Sequence, residues 1–92
     1  PTTPERPMPP ITLYTTPWCP YCLAAKRLLK QKGAAFEEID VEGKPDLRRA
    51  MTQRAGGRTS VPQIFIGDRH VGGSDDLHAL DARGELDPLL AG

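Results

Sequence analysis

The sequence predicts a fold of the α/β class, with one four-stranded mixed sheet and helices packed against it. The first observation is a strand–helix–strand succession over residues 11–41, because such a unit makes two parallel strands joined by a right-handed crossover. The second observation is a β-hairpin pattern over residues 63–71. The third is that a helix-like segment follows each of these two units. One sheet that holds parallel and antiparallel pairs accounts for all three.

The first unit combines two strand patterns with an amphipathic helix pattern. Residues 11–15 alternate and are rich in β-formers, and residues 35–41 repeat this less regularly, so both segments predict strands. Between them, Pro20 suits the first turn of a helix, and Gly33 suits its end. We therefore predict a helix over residues 20–32. Its apolar side chains fall on one stripe: Tyr21, Cys22, Ala25, Leu28 and Leu29.

The second half of the chain predicts a helix, a hairpin and a further helix. The first of these helices begins at Pro45 and ends at residues 56–57. Its apolar stripe comprises Leu47, Ala50 and Met51. A turn at residues 67–68 joins the two hairpin strands. The last helix has a capped start at residues 74–77, with acidic residues in its first turn, and ends at Gly84. Leucines face the core from this helix and from a short tail: Leu77, Leu80, Leu86, Leu89 and Leu90.

Length and composition limit the class of protein. The 92 residues suit one compact domain, which we place at residues 11–92, behind a proline-rich lead-in at residues 1–10 that we expect to be disordered. Twelve acidic and twelve basic residues cancel, which argues against binding of nucleic acid or of a membrane surface. No run approaches the roughly 20 apolar residues of a membrane span, and the lead-in lacks the apolar segment of a secretory signal. We expect a monomer.

Both cysteines lie in one segment, Trp18-Cys19-Pro20-Tyr21-Cys22, where the first strand pattern gives way to the first helix pattern. Two thiols at this spacing can close and reopen a small disulfide ring, and beside a βαβ pattern they favour redox chemistry in a reducing, cytoplasmic setting. The start of a helix favours a thiolate through its free N–H groups and partial positive charge. Cys19, nearer to that end, is the predicted nucleophile. Cys22, covered by the helix, is the predicted resolving thiol.

Three alternative roles for the cysteine pair have less support. A zinc site needs two further ligands, and His70 and His78 lack a Cys or His partner at the usual zinc spacings. A purely structural disulfide would close a loop of four residues, which constrains little of the entropy of the unfolded chain. Burial of both cysteines as small apolar side chains does not account for their position after a strand. We therefore predict a redox-active disulfide and no metal site.

Three motifs taken together resemble the dithiol glutaredoxins, and most closely the small bacterial forms. They are Cys-Pro-Tyr-Cys at residues 19–22, Ser-Val-Pro-Gln-Ile-Phe-Ile at residues 60–66 and Gly-Gly-Ser-Asp-Asp-Leu at residues 72–77. The resemblance covers residues 11 to about 90. It implies the thioredoxin fold, in which the strands have the order 2-1-3-4 and three or more helices flank the sheet.

The resemblance implies that glutathione is a co-substrate and that no cofactor is tightly bound. In the family, the peptide bond before the proline that matches Pro62 is cis. This bond would bring the backbone N–H and C=O of Val61 beside Cys19, where they would pair with the cysteinyl part of glutathione as an added strand does. Tyr21 would line the same groove.

The charged ends of glutathione would be held by other segments. Backbone N–H groups at the helix start formed by Ser74 and Asp75 would bind the γ-glutamyl carboxylate, and the Asp75 side chain would face the ammonium group. Arg48 matches the position from which the second helix of the family reaches the glycyl carboxylate. The chain departs from the family at Thr16, where a lysine often stands three residues before the first cysteine. This departure removes one cationic contact, unless Arg48, Arg58 or another side chain compensates.

We therefore expect a glutathione-dependent thiol–disulfide oxidoreductase whose partners are glutathione and disulfide-containing or glutathionylated proteins. Cys19 and Cys22 would reduce both protein disulfides and glutathione mixed disulfides. One alternative is a thioredoxin-like electron carrier reduced by a flavoprotein reductase, against which the motif at residues 72–75 argues. Another is a binding module in which two chains and two glutathiones hold a [2Fe–2S] cluster through Cys19. Pro20 argues against this module, by family resemblance.

Overall fold

The computed structural model describes residues 9–91, which form four strands and four helices. The elements, in chain order, are β1 (Ile11–Thr15), α1 (Pro20–Gln31), β2 (Glu37–Asp40), α2 (Pro45–Arg54), β3 (Gln63–Ile66), β4 (Arg69–Gly72), α3 (Ser74–Ala82) and α4 (Leu86–Ala91). The disordered lead-in is predicted for residues 1–10, and residues 1–8 of it lie outside the described residues. Within residues 9–91, no helix is both long enough and apolar enough to cross a membrane.

All four strands belong to one sheet, in the order β2-β1-β3-β4. β1 pairs in parallel with β2 and antiparallel with β3, and β3 pairs antiparallel with β4. Pairing of β1 with β3 continues one step further, because the N–H of Gly67 donates to the carbonyl of Pro10 at 2.7 Å. The mixed sheet and its 2-1-3-4 order are confirmed.

Side chains alternate between the two faces of β3, so this strand contributes to two cores. Ile64 and Ile66 enter the larger core with residues of α1, α3 and α4, whereas Phe65 enters the smaller core with residues of α2. The larger core comprises Ile11, Leu13, Ala25, Leu28, Leu29, Ala34, Ile64, Ile66, Leu77, Leu80, Leu86 and Leu90. The smaller core comprises Tyr14, Val41, Met51, Ala55 and Phe65. Burial of each large aliphatic side chain contributes about 1.5–3 kcal/mol, so the face with α1, α3 and α4 dominates the stability.

Two helix stripes differ from the sequence prediction. The helical period puts Tyr21 on the apolar stripe of α1, but its side chain is 61% exposed, because the first turn of α1 borders a groove at that point. Leu47 is 39% exposed and Ala50 is exposed, although the period puts both on the stripe of α2. Only Met51 of this stripe is buried, since α2 packs on the sheet near its C-terminal end, through Met51 and Ala55.

The leucine-rich tail forms a helix of its own. Its leucines lie at spacings of three and four residues, which places them on one helical face, and Leu86 and Leu90 of α4 are buried.

The second strand is shorter than the predicted residues 35–41, since β2 covers Glu37–Asp40. Val41 follows it with an N–H that donates to the Thr15 carbonyl at 2.9 Å.

Three segments that are far apart in the sequence meet at one edge of the sheet. Because β3 runs antiparallel to both β1 and β4, the C-terminal ends of β1 and β4 lie beside the N-terminal end of β3. Cys19 follows β1, Pro62 precedes β3 and Ser74 follows β4. The topology therefore brings the three sequence motifs together at this edge.

Candidate active site

Cys19 is the N-cap residue of α1. Its backbone is extended, with φ −93° and ψ 114°, and its Sγ accepts a hydrogen bond from the N–H of Cys22 at 3.4 Å. The first N–H groups of a helix have no acceptor within the helix, and the helix dipole adds partial positive charge at this end. The partly exposed sulfur of Cys19 therefore lies at the positive end of the helix dipole.

Cys22 lies one turn further along α1 and is only 1% exposed. Burial raises the pKa of its thiol to about 12; the neighbouring Cys19 acts in the same direction, and a backbone hydrogen bond with Thr16 opposes both. The thiol of Cys22 is therefore protonated at neutral pH. Both cysteines are free thiols, and they differ in exposure, as predicted for a nucleophile and a resolving thiol.

The backbone of Val61 lies against Cys19. The peptide bond between Val61 and Pro62 is cis, as the resemblance implies, and the Val61 carbonyl oxygen is 3.8 Å from Cys19 Sγ. This separation lets the thiol donate a weak hydrogen bond to the carbonyl. The segment that precedes β3 and the N-terminus of α1 thus form one continuous surface.

A groove of about 250 Å³ extends from this surface to the start of α3. Its lining comprises Tyr21, Arg58, Ser60, Val61, Pro62, Gly73, Ser74, Asp75 and Asp76. The structure therefore brings together five residues that are predicted to contact glutathione: Tyr21, Val61, Pro62, Ser74 and Asp75. Cys19 lies next to the groove through its contact with Val61. Since the lining contains both a guanidinium and carboxylates, it suits a small ligand that carries charges of both signs.

The start of α3 is tied to the loop that carries Arg58. Asp76 Oδ2 accepts hydrogen bonds from the N–H of Gly73 at 2.9 Å and from Arg58 Nη1 at 3.2 Å. The hydrogen bond from Gly73, supported by the one from Arg58, holds the pKa of the Asp76 carboxyl below its usual value. Gly72 has a φ of +118°, and a Cβ there would overlap the Asp76 carboxylate and lie 2.7 Å from Arg58 Nη1. Only glycine fits this position.

Ser74 is 5% exposed, and it is bonded within its own helix. Its carbonyl lies 2.8 Å from His78 Nδ1, and its Oγ lies 3.3 Å from the same nitrogen. A carbonyl can only accept, so Nδ1 of His78 carries the hydrogen. The side chain of Ser74 is therefore turned towards His78, and its backbone N–H belongs to the free N–H groups of the first helical turn.

Arg48 does not line the groove. Its Nη2 donates to the carbonyl of Thr59 at 3.0 Å, so it braces the loop that leads to Ser60 and Val61. Arg58, which lies on that loop, is the cation of the groove lining instead.

Four groove residues are not among the predicted site residues: Arg58, Ser60, Gly73 and Asp76. The spacing of Gly73 and Asp76 is that of a capping box, which was a usable signal for both. The positions of Arg58 and Ser60 depend on the path of the loop between α2 and β3, for which the sequence has no periodic pattern.

Comparisons with known proteins establish the family of the chain. A family model described as Glutaredoxin matches residues 11–71. The chain belongs to the glutaredoxin family. It is 58% identical over 84 residues to a glutaredoxin of Pseudomonas aeruginosa, and the match covers 91% of this chain and 99% of the relative. Thiol–disulfide oxidoreductase chemistry is general to glutaredoxins.

Solved glutaredoxin structures share the fold of this glutaredoxin. The solution structure of the glutaredoxin from Brucella melitensis matches with a TM-score of 0.80 and 55% identity, covering 91% of this chain and 90% of that one. A buckwheat glutaredoxin–glutathione complex matches with a TM-score of 0.80 and 32% identity, covering 89% of this chain and 76% of that one. The predicted thioredoxin fold is confirmed.

Proposed function

We propose that this chain is a glutathione-dependent thiol–disulfide oxidoreductase that acts through Cys19 and Cys22. The observation that carries the proposal is the position of Cys19 Sγ, 3.8 Å from the Val61 carbonyl, beside a groove lined by both acidic and basic groups. The sulfur of the proposed nucleophile thus lies beside a surface whose chemistry suits a zwitterionic peptide thiol. Glutathione is the co-substrate in this proposal, and no tightly bound cofactor is needed.

Each charged group of glutathione has a counterpart in the groove. Free N–H groups of the first turn of α3 suit the γ-glutamyl carboxylate, and the Asp75 carboxylate suits the ammonium group. The backbone of Val61 suits the cysteinyl part as an added strand. Arg58 is a candidate for the glycyl carboxylate, although its guanidinium already donates to Asp76. Arg48 stays a candidate for the same carboxylate, although it would first have to release the Thr59 carbonyl.

The proposed reaction is a pair of thiol–disulfide exchanges. The Cys19 thiolate attacks the glutathionyl sulfur of a mixed disulfide, so that a Cys19–glutathione bond forms while the original disulfide bond breaks, and the substrate leaves as a thiolate that takes up a proton. A second glutathione thiolate then attacks the glutathionyl sulfur of this adduct. This step releases glutathione disulfide and restores the Cys19 thiolate. The net reaction consumes one free glutathione for each mixed disulfide, and the glutathionyl group of the substrate forms the other half of the glutathione disulfide.

The dithiol route uses Cys22 in addition. The Cys19 thiolate attacks a protein disulfide, so that a mixed disulfide forms with one protein sulfur while the other leaves as a thiolate. Cys22 then loses its proton and attacks the Cys19 sulfur, which expels the second protein sulfur as a thiolate, and both protein thiolates take up protons. The reduced protein leaves, and the Cys19–Cys22 disulfide is then reduced by two glutathiones. Proposed partners are therefore disulfide-containing or glutathionylated proteins, in the cytoplasm, for an enzyme that acts as a monomer.

The test is turnover of a glutathionylated small disulfide in the presence of glutathione, coupled to reduction of the glutathione disulfide formed. We expect Cys19→Ser to abolish turnover and Cys22→Ser to retain it, because only Cys19 is needed for the glutathione-only route. With a protein disulfide as substrate, Cys22→Ser should lose most of its activity.

One outcome and one further assay distinguish this proposal from its alternatives. Full turnover by Cys19→Ser would overturn the assignment of the nucleophile. A second assay replaces glutathione with a flavoprotein thioredoxin reductase and NADPH. Reduction of the protein with the reductase, together with no turnover with glutathione, would replace the proposal with a thioredoxin-like electron carrier.

A further inference from the structure

A buried amide lies directly behind the wall of the groove. Gln63 follows Pro62 and is 0% exposed. Its Nε2 donates to the carbonyl of Ser60 at 2.9 Å and lies 3.3 Å from Ser60 Oγ, while its Oε1 is 2.7 Å from Nε2 of His70. The side chain therefore spans the bend formed by residues 60–62, from which Ser60, Val61 and Pro62 line the groove.

The donors and acceptors of this chain of hydrogen bonds follow from its end group. The Ser60 carbonyl can only accept, so the amide nitrogen of Gln63 must face it. The amide oxygen of Gln63 then faces His70, and Nε2 of His70 must carry the hydrogen. Burial, supported by the positive charge of Arg58 and opposed by the negative charge of Asp76, lowers the pKa of His70, which favours the neutral imidazole. The hydrogen bond with Gln63 is what assigns the hydrogen of that imidazole to Nε2.

The imidazole of His70 is itself held by packing. It stacks on the ring of Phe65, with ring centroids 4.8 Å apart and planes 27° apart, and the two residues are paired across β3 and β4. The guanidinium of Arg54 lies 4.1 Å from the centroid of the same Phe65 ring, and Tyr14 meets that ring edge-on at 5.8 Å. The donor that Gln63 needs is thus fixed by the smaller core.

We infer that Gln63 and His70 are positioning residues that fix the backbone of Ser60 and Val61 and thereby set how tightly the groove binds the glutathionyl group. The inference rests on the proposed function. Neither side chain lines the groove, so both act through the backbone that does. Loss of the His70 donor leaves a buried amide oxygen without a partner, which costs considerably more than the loss of an exposed hydrogen bond. The bend would then rearrange, and the groove wall with it.

The first experiment locates the hydrogen on His70 and needs no glutathione. Long-range ¹H–¹⁵N correlation spectra of the labelled protein distinguish the two ring nitrogens at neutral pH. We expect the hydrogen on Nε2. A ring that is protonated on Nδ1 alone could not donate to Gln63 and would overturn the inference.

The second experiment compares two variants of His70 in the glutathione-coupled assay. His70→Phe keeps an aromatic ring on Phe65 but has no donor, whereas His70→Gln offers an amide donor near the position of Nε2. We expect His70→Phe to raise the KM for the glutathionylated substrate about five- to tenfold with little change in kcat. We expect His70→Gln to restore much of the lost affinity. The control is Arg69→Gln, on the exposed neighbouring position of β4, with a KM near that of the wild type.

The outcomes separate this inference from the proposed function. If the wild type shows no glutathione-dependent turnover, the proposed function fails, while the spectra still test the hydrogen-bond chain. If the wild type turns over and His70→Phe leaves KM unchanged, the inference fails alone. Equal KM values for His70→Phe and His70→Gln would also overturn it. The effect would then not depend on the hydrogen-bond donor, which only His70→Gln keeps. Thermal unfolding of each variant establishes that it is folded at the assay temperature.

Discussion

The two thiols of the Cys-x-x-Cys segment lie in opposite environments although only two residues separate them. Cys19 is partly exposed and its sulfur accepts the N–H of Cys22. Cys22 is buried, and burial raises the pKa of its thiol to about 12. One sulfur is therefore available to solvent at the start of a helix, while the other keeps its proton inside the protein.

This contrast predicts selective alkylation of the reduced protein. At about pH 7.5 iodoacetamide should modify Cys19, and Cys22 should react at least about a hundredfold more slowly, because the thiolate is the reacting form and a thiol with a pKa near 12 is almost fully protonated. Peptide mass spectrometry after timed quenching measures both rates.

The control for this prediction is Cys19→Ser. It removes the contribution of Cys19 to the pKa of Cys22 but leaves burial, which is the larger cause. Cys22 should therefore remain slow in the folded variant and become reactive in denaturant. Rapid labelling of Cys22 in the folded variant would contradict its assignment as the protected thiol.

At the residue scale, the sequence predicted the difference in burial between the two cysteines better than the positions of the two arginines. Cys19 and Cys22 differ by one helical turn, so their difference in burial follows from local geometry. The contacts that Arg48 and Arg58 make depend on the path of residues 55–60. Two glycines in this loop have positive φ, and the loop has no periodic sequence pattern from which its path could be predicted. Arg58 therefore lines the groove and Arg48 braces the loop, which only the folded chain reveals.

The N-terminus of α3 is the element whose geometry depends most on one carboxylate. Asp76 accepts the N–H of Gly73 and a hydrogen bond from Arg58. The side chains of Asp76 and Arg58 are about half exposed, at 49% and 47%, so solvent screens their ion pair to a small contribution. The capping hydrogen bond from Gly73 therefore stabilises the helix start more than the ion pair does.

Asp76→Ala should lower the free energy of unfolding by about 1 kcal/mol at pH 7, as expected for loss of a cap. The pKa of Asp76 is lower in the folded state than its ordinary value of 3.8. Its contribution is therefore complete above that value and is lost as the pH falls through the folded pKa. The difference between wild type and variant should shrink below about pH 4. Urea unfolding at pH 7 and at about pH 3 measures this.

Asp76→Asn is the matched control, because the amide oxygen can still accept from Gly73 while the charge is gone. It should cost less than Asp76→Ala at pH 7. Equal losses for the two variants would mean that the charge, rather than the capping hydrogen bond, dominates.

For the whole molecule, the two faces of the sheet are covered unequally. α1 buries four residues, whereas α2 buries Met51 alone. The apolar area that holds a helix on the sheet sets the free energy needed to open it locally. α2 is therefore the more weakly attached of the two helices.

Amide hydrogen exchange should consequently be faster in α2, residues 45–54, than in α1, residues 20–31. Met51→Ala should lower protection in α2 further, since such a substitution in a core costs about 2–5 kcal/mol. Leu47→Ala, on the same helix at a position that is 39% exposed, should change it little. Equal protection of α1 and α2 in the wild type would contradict this account of their packing.

The overall fold was more predictable than the burial within α2. The βαβ unit and the hairpin have strong local signatures, and the order of strands came with the resemblance of three motifs. The predicted burial of Leu47 and Ala50 was wrong because α2 is short and contacts the sheet mainly near one end. Both residues fit the helical period but do not reach the core. The hydrogen bond between Gln63 and His70 was missed because the two side chains come together only when β3 pairs with β4.

The meeting of three motifs at one edge of the sheet leaves the opposite edge without a role in the chemistry. The turn at Gly67–Asp68 lies at that opposite edge, where Gly67 pairs with Pro10. Insertions, affinity tags or fluorescent labels in this turn would be separated from the reacting sulfur by the full length of β3. Changes in this turn should therefore leave the candidate site at the other end of the sheet unaltered.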